Sequence, residues 1–300
     1  MLDNLQILLS QPVFNLQLLL NGLSVGAVFA LVAYGLGLVW GVTAIKNLAQ
    51  GDLVMLGGFL SFELARHGVH PIVSLLPVCA IMFGFGWILY KLVIRRVIQL
   101  DLFTSLLATF GLAITLQQAL NLIFGPEVRT VSSGFGRLEL AGGMVDITEI
   151  RIIGFGLCVL LAAGMVIFMK TSRVGQAIRA TAQDPRAARV LGVDADLVYA
   201  LTFSINAAIC GAAGTLIAMI WVIQPFYGIA YSVRAFVIVT AAGLGNLPGV
   251  ILAALGLGVL EQYSGFVFGA QFQQATIVGL LLAILIWRQL ALLRHRKALQ

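Results

Sequence analysis

Nine polar side chains interrupt mostly apolar sequence: Asn21, Asn47, Gln50, Gln117, Gln118, Asn121, Asn206, Asn246 and Glu261. All but Glu261 are neutral amides, which donate and accept hydrogen bonds without carrying a charge. In a nonpolar setting such groups bond one helix to another, or offer weak contacts to a polar solute in passage. Asn47 and Asn246 stand apart. Each falls in a break within a hydrophobic segment, at Thr43-Ala-Ile-Lys-Asn-Leu-Ala-Gln-Gly-Asp52 and Gly243-Leu-Gly-Asn-Leu-Pro-Gly249. Lys46 and Asp52 flank the first break and could pair there or simply mark the interface. Irregular backbone at membrane depth is tolerated only where it lines a cavity or is buried in protein. Glu261 follows a long apolar run and is expected to face an aqueous vestibule at a helix end. Covalent and phosphate chemistry find little support. Cys79, Cys158 and Cys210 sit in separate apolar runs without metal-ligand spacing and read as small core residues. The sequence has no Gly-x-x-x-x-Gly-Lys-Ser/Thr phosphate loop. Gly84/Gly86, Gly154/Gly156 and Gly256/Gly258 lie inside apolar runs, where close helix packing accounts for them.

The elements that must position these groups follow from composition. Of 300 residues, 60% are hydrophobic and 10% charged, and the mean hydropathy is +1.03. Soluble domains average roughly 45–50% apolar and about 25% charged residues. So few charges cannot cover a water-soluble surface, and a soluble enzyme, a nucleic-acid binder, a disordered chain and a disulfide scaffold are all disfavoured. An all-α polytopic membrane protein remains, because a barrel would alternate in short strands.

Charges are absent from residues 4–45, 71–90, 102–126, 152–169, 197–233, 235–260 and 262–287. A helix needs about 20 apolar residues, at 1.5 Å each, to cross roughly 30 Å of hydrocarbon. The first spanning helix is placed near 16–43, with Pro12 closing an interfacial turn, and this first stretch is expected to be retained rather than cleaved. An eighth segment, Leu53–Ala65, is too short alone and must recruit residues 43–52. The expectation is about eight transmembrane helices with two broken or re-entrant segments, forming a single transmembrane unit over residues 1–300.

With the N-terminus outside and the break at 243–249 counted as a turn, thirteen of the 18 basic residues fall on one side, and Arg66, Arg129, Arg137, Arg151 and Arg234 on the other; with that break on the outer side the parity changes and the N-terminus is inside. That side is then cytoplasmic and includes the C-terminus. The net charge of +6 reads as this face meeting anionic lipid rather than nucleic acid. The 125–150 loop reads as exported and long enough for a small cap or short hairpin. Glycines four apart, at Gly22/Gly26, Gly37/Gly41, Gly245/Gly249 and Gly265/Gly269, make smooth helix faces. Ala207, Ala208, Gly211, Ala212 and Gly214 make another.

The stretch from Thr171 to Asp196 reads as two short helices. The first runs from Gly175 to Ala182. The second is capped by Asp184, with Pro185 at its first position and Gly192 as its stop. Alanines at 177, 180, 182, 187 and 188 keep the surface low in relief, and Arg179, Arg186 and Arg189 surround it. Such a surface suits docking in a groove of another protein.

This stretch, through Gly175, Arg179-Ala180, Asp184, Ala187-Ala188 and Gly192, resembles the cytoplasmic coupling loop of ABC-importer permeases of the high-affinity branched-chain amino-acid type. Asn47-Leu-Ala-Gln-Gly-Asp-Leu-Val-Met-Leu-Gly57 and Gly243-Leu-Gly-Asn-Leu-Pro-Gly249 are similar to two further elements of that family. The resemblance covers roughly 16–290. Gln50 stands where a His is usual, which removes a titratable group. The resemblance implies a multi-pass permease of the bacterial inner membrane, not itself an enzyme. It implies a second homologous permease, two cytoplasmic ATPase subunits that hold the ATP, and a periplasmic solute-binding protein, with no cofactor in this chain. A periplasmic loop at 125–150 and a cytoplasmic coupling segment at 171–196 follow. Asn21, Asn47, Gln50, Gln117, Asn121, Asn206, Asn246 and Glu261 are the candidates to line the path. Arg173, Gly175, Arg179, Ala180, Asp184, Ala187, Ala188 and Gly192 are the candidates to couple to the ATPase. The implied solute is a branched-chain or hydrophobic amino acid, with urea or an amide behind it.

An ATP-independent small-solute channel is the alternative, since Asn47-Leu-Ala and Asn246-Leu-Pro loosely resemble paired re-entrant Asn motifs. Neither is Asn-Pro-Ala, and a channel has no use for the 171–196 segment. A secondary transporter ranks third, with Glu261 as its coupling carboxylate.

Overall fold

Proline sets the first boundary. In the computed structural model, which describes residues 2–98, 100–140, 145–243 and 245–298, helix α1 (Leu2–Ser10) stops one residue short of Pro12. Helix α2 (Pro12–Thr43) then starts with Pro12 in its first turn, where the missing N–H has no helical partner to lose. At 32 residues α2 is about 48 Å long, more than one bilayer core requires. It ends where Ala44 turns left-handed, at φ 57°, and its N–H closes on the Trp40 carbonyl.

Residues 44–49 are not helical. The chain resumes as α3 (Gln50–Arg66) and α4 (Pro71–Leu89), which continues through a π-turn at Tyr90–Ile94 into α5 (Arg95–Val97). Then come α6 (Leu102–Phe124), strands β1 (Arg137–Leu140) and β2 (Val145–Thr148), and α7 (Glu149–Thr171). The strands pair antiparallel, Leu138 opposite Ile147, so the expected cap is a small two-stranded element on an otherwise helical body. Helices α8 (Arg173–Gln183) and α9 (Pro185–Val190) lead into α10 (Ala195–Ile220). The chain closes with α11 (Gly228–Ala242), α12 (Leu247–Phe268) and α13 (Phe272–Ala298).

Among the described residues, seven helices are long and apolar enough to cross a membrane. They are Pro12–Thr43, Pro71–Val97, Phe103–Phe124, Glu149–Thr171, Ala195–Ile220, Pro225–Ala242 and Pro248–Phe268. The expected eighth segment, α3, has 17 residues and falls short. It takes only Gln50, Gly51 and Asp52 from the polar stretch before it.

Helices α2 and α10 form the centre, enclosed by α3, α4, α11 and α12. Glycine decides how closely they approach. A Cβ on Gly26 would sit 2.7 Å from the backbone of Ala254 and Leu255, and one on Gly258 would strike the backbone of Gly22 and Gly26. Gly57 and Gly58 of α3 meet Gly211 and Gly214 of α10 in the same way. The Gly22/Gly26 face and the Gly211–Gly214 surface are therefore contacts within this chain. Of the three Gly-x-Gly pairs, Gly86, Gly154 and Gly258 pack against other helices, while Gly84, Gly156 and Gly256 face open space. Outward-facing Leu76, Phe103 and Leu122 are largely exposed, as lipid-facing residues must be.

The helices give the molecule two ends. One carries the strands, the 221–227 link joined to Arg129 by a β-bridge, and the start of α13. The other carries α8, α9 and the Gly243–Asn246 link. Gly245 lines a cavity there together with Arg179 and Ala182.

Candidate functional site

Helix α3 begins deep inside the protein. Gln50 is fully buried, and its Nε2 donates to the carbonyl of Val32, in the middle third of α2, at 2.9 Å. Backbone groups at this depth have no water to bond. Hydroxyls from distant helices replace it. Thr109 Oγ1 of α6 lies 3.2 Å from the Lys46 carbonyl and 3.3 Å from the Leu48 N–H. Ser232 Oγ of α11 donates to the Leu48 carbonyl and accepts the Gly51 N–H, both at 2.8 Å. Asn47 serves its own turn, its Oδ1 accepting the Ala49 N–H at 3.1 Å. Neither hydroxyl was singled out from sequence. A lone Thr or Ser in an apolar run was the available signal.

Gln50 and Asn206 form a reciprocal amide pair. Gln50 Nε2 donates to Asn206 Oδ1 at 2.9 Å, and Asn206 Nδ2 donates to Gln50 Oε1 at 3.0 Å. Both residues are fully buried. Gly35 of α2 makes the room, because a Cβ there would strike Asn206 Oδ1 and crowd Gln50 Nε2. Cys210 is more than a small core residue, with Sγ 3.2 Å from Gln50 Nε2. This constellation holds α2, α3 and α10 together.

Lys46 and Asp52 do not pair. The Lys46 ammonium lies 5.2 Å from the Trp40 ring centre. Asp52 is buried under Gly228, and Gln117 Nε2 donates to its Oδ1 at 2.9 Å. The other Asp52 oxygen, Asn47 Nδ2 and Asn121 Oδ1 have no protein hydrogen-bond partner. Asn246 caps α12, its Oδ1 accepting the Gly249 N–H at 3.1 Å. It lies exposed in the link at the coupling end rather than in the interior.

At the opposite end Asn21 Oδ1 accepts from Arg151 Nη1 at 2.7 Å. Glu261 is joined to Arg234 through both oxygens, Nη2 to Oε1 at 2.6 Å and Nε to Oε2 at 3.1 Å. The two side chains are 6% and 16% exposed. The pair lines a cavity of about 330 Å³ between α2, α11, α12 and the 221–227 link. Along the sequence Arg234 is one basic residue among 18, and its partner lies 27 residues away.

At the coupling end the paired caps are present. Ser172 Oγ accepts the Gly175 N–H at 2.9 Å, which starts α8 two residues before the expected Gly175. Asp184 Oδ1 accepts the N–H groups of Arg186 and Ala187 at 2.8 and 3.0 Å, and Gly192 turns with φ 87°. These N–H groups hold the Asp184 carboxyl below the usual carboxylate range. Arg173, Arg179, Ala180, Ala182, Arg186, Ala187 and Arg189 are exposed. Gly175 and Ala188 are buried, and a Cβ on Gly175 would meet the Met169 backbone at 2.5–2.8 Å. These two shape the segment from inside.

Among the described residues, seven helices long and apolar enough to cross a membrane, buried non-helical backbone and a capped helix pair at one end define a polytopic helical membrane protein. The chain belongs to the family described as branched-chain amino acid transport system / permease component, which it matches over residues 18–287. It is 31% identical to the high-affinity branched-chain amino acid transport system permease protein BraD of Pseudomonas aeruginosa, over 93% of this chain and 95% of that protein. It is 28% identical to the corresponding permease protein LivH of Escherichia coli, over 92% and 94%. A solved chain of PsaBC from Streptococcus pneumoniae in complex with Fab matches at 12% identity and a TM-score of 0.48, covering 94% of each chain.

Proposed function

We propose that this chain is the permease subunit of an ATP-binding-cassette importer in a bacterial inner membrane. It forms, with a second homologous permease, the path for a branched-chain or similar hydrophobic amino acid. Two cytoplasmic ATPase subunits drive it, and a periplasmic binding protein delivers the solute to the hairpin end. The observation that carries the reading is the capped pair α8–α9. It is short, basic on its outer face and anchored on its inner face by Gly175, Ile178 and Thr181. That is what a lever between a soluble motor and a membrane helix requires. It leads through residues 191–194 into α10, whose Asn206 is tied to Gln50 of α3, so a push on α8–α9 is transmitted to the middle of the bundle. The positive charge at this end supports a cytoplasmic orientation for it and for the C-terminus. Family membership supports the solute class.

The test is reconstitution of the chain with its permease, ATPase and binding-protein partners in vesicles. Leucine uptake should require ATP. Arg179→Glu should lower uptake at least tenfold while the protein still inserts and accumulates. ATP-independent flux through this chain alone would overturn the reading in favour of a channel.

A further inference from the structure

The cavity at the hairpin end has a chemistry that the coupling scheme does not use. We propose that it is a binding site for a zwitterionic amino acid with an apolar side chain, read by Arg234 and Glu261 together. The inference rests on the reading above that an amino acid passes through this chain, and names where it is first held.

Each member of the ion pair keeps unused bonding capacity. A guanidinium has five N–H donors. Arg234 uses Nε and Nη2 on Glu261 and Nη1 on the Ala230 carbonyl at 3.2 Å, which leaves two hydrogens. Each Glu261 oxygen accepts one bond from Arg234 and retains a second lone pair. A free amino acid offers the complement of both, a carboxylate for the guanidinium and an ammonium for the carboxylate. A neutral amide or a simple anion satisfies only one of them.

The walls fit the rest of such a molecule. The Arg234 guanidinium lies 5.2 Å from the Phe29 ring centre and 5.8 Å from that of Tyr231. These rings hold its orientation and shield the pair from water. Val25 and Trp221 supply apolar surface for a branched side chain, and Gln273 closes one edge with a neutral polar group. The volume of about 330 Å³ lies at the small end of the range for ligand pockets, roughly 300–1,000 Å³.

Energetics point the same way. A buried ion pair adds little stability over well-packed apolar residues of similar size. Charges in membrane segments sit by default at sites of function. Here the pair borders open volume rather than packed core, unlike the amide pair at Gln50.

The decisive variant replaces both charges, Arg234→Met with Glu261→Met, and so leaves no charge unpaired. In the reconstituted transporter it should accumulate at the parental level, while kcat/KM for leucine uptake falls at least tenfold. Uptake at the parental level would overturn the site. A second measurement needs no transport. Gln273→Cys, in the detergent-solubilised complex without binding protein, should be labelled by a thiol reagent at least threefold more slowly with leucine present. Leucinamide, which lacks the carboxylate, and 4-methylpentanoate, which lacks the ammonium, should leave the rate unchanged. No protection by leucine, or equal protection by leucinamide, would overturn the proposal. Leucine protection in a complex that imports no amino acid would sink the transport function and leave the site standing.

Discussion

Two of the polar pairs in this molecule differ in what surrounds them. Gln50 and Asn206 are neutral, fully buried, bonded to each other at both ends and enclosed by α2, α3 and α10. Arg234 and Glu261 are charged, also bonded to each other, and open onto a cavity. The difference separates structural bonding from solute contact better than residue type does. A polar group whose capacity is filled inside the packing holds helices together. A polar group with capacity left over beside free volume can meet a solute.

Four measurements would break or sharpen this contrast. The largest effect is expected at Gly35. Gly35→Val drives a side chain into the amide pair, and the protein should accumulate at less than a tenth of the parental level on an immunoblot of membranes. Gly41→Ala, on the same helix with nothing within 4 Å of the new Cβ, should be unaffected. Normal accumulation of Gly35→Val would show that the amide pair is not enclosed as described.

Next is Glu261→Ala. It leaves the Arg234 charge buried and unpaired, which should cost roughly 3–5 kcal/mol. The thermal midpoint of the detergent-solubilised protein should fall by several degrees, and the Arg234→Met, Glu261→Met double variant should recover most of the loss. A double variant as unstable as the single would mean the charges stabilise as a pair.

Smaller effects are expected from Gln50→Leu and Asn206→Leu. Each strands one amide, at a cost of about 1–3 kcal/mol. The double variant should be less destabilised than the two singles added together. Additive losses would deny the reciprocal pairing.

The smallest effect is a pH effect at the exposed cap Asp184, which serves as a baseline for polar groups outside the bundle. Its carboxyl is held below the usual carboxylate range by the Ala187 and Arg186 N–H groups. The stabilisation of α9 is therefore complete above the unfolded value of about 3.9. It is lost as pH falls through the lower folded value. Amide exchange at Arg186 and Ala187, corrected for its intrinsic pH dependence, should lose protection below about pH 4. Protection that holds to pH 2 would place the cap elsewhere.

Much of the helical frame was legible in the sequence, because it depends on local chemistry. Charge-free runs became helices, Asp184-Pro185 started α9, Gly192 ended it, and Gly22/Gly26 made a close helix contact. The site was legible only in part. Gln50, Asn206 and Glu261 stood out as polar groups at depth, but their partners could not be read. Gln50 and Asn206 are 156 residues apart. Arg234 was hidden among the topology charges, and Gly35 matched no spacing pattern. Lys46 and Asp52 invited pairing by proximity in sequence, yet Lys46 lies over the Trp40 ring and Asp52 bonds to Gln117. Periodicity and caps report on neighbours along the chain, whereas a site is assembled across it.

The hydroxyls that satisfy the stretch before α3 bear on how the protein is made. Ser232 bonds backbone groups 181 and 184 residues upstream, and Thr109 reaches back 61 and 63 residues. When α3 leaves the ribosome these groups do not yet exist. The bare carbonyls and N–H groups of residues 46–51 must then remain in water, within the insertion machinery, or in another pairing. The native pairing of the Leu48 carbonyl and the Gly51 N–H can form only after α11 has been synthesised. Assembly therefore runs late for an early segment, and a truncation before residue 232 should leave the Leu48 carbonyl and the Gly51 N–H without their native partner.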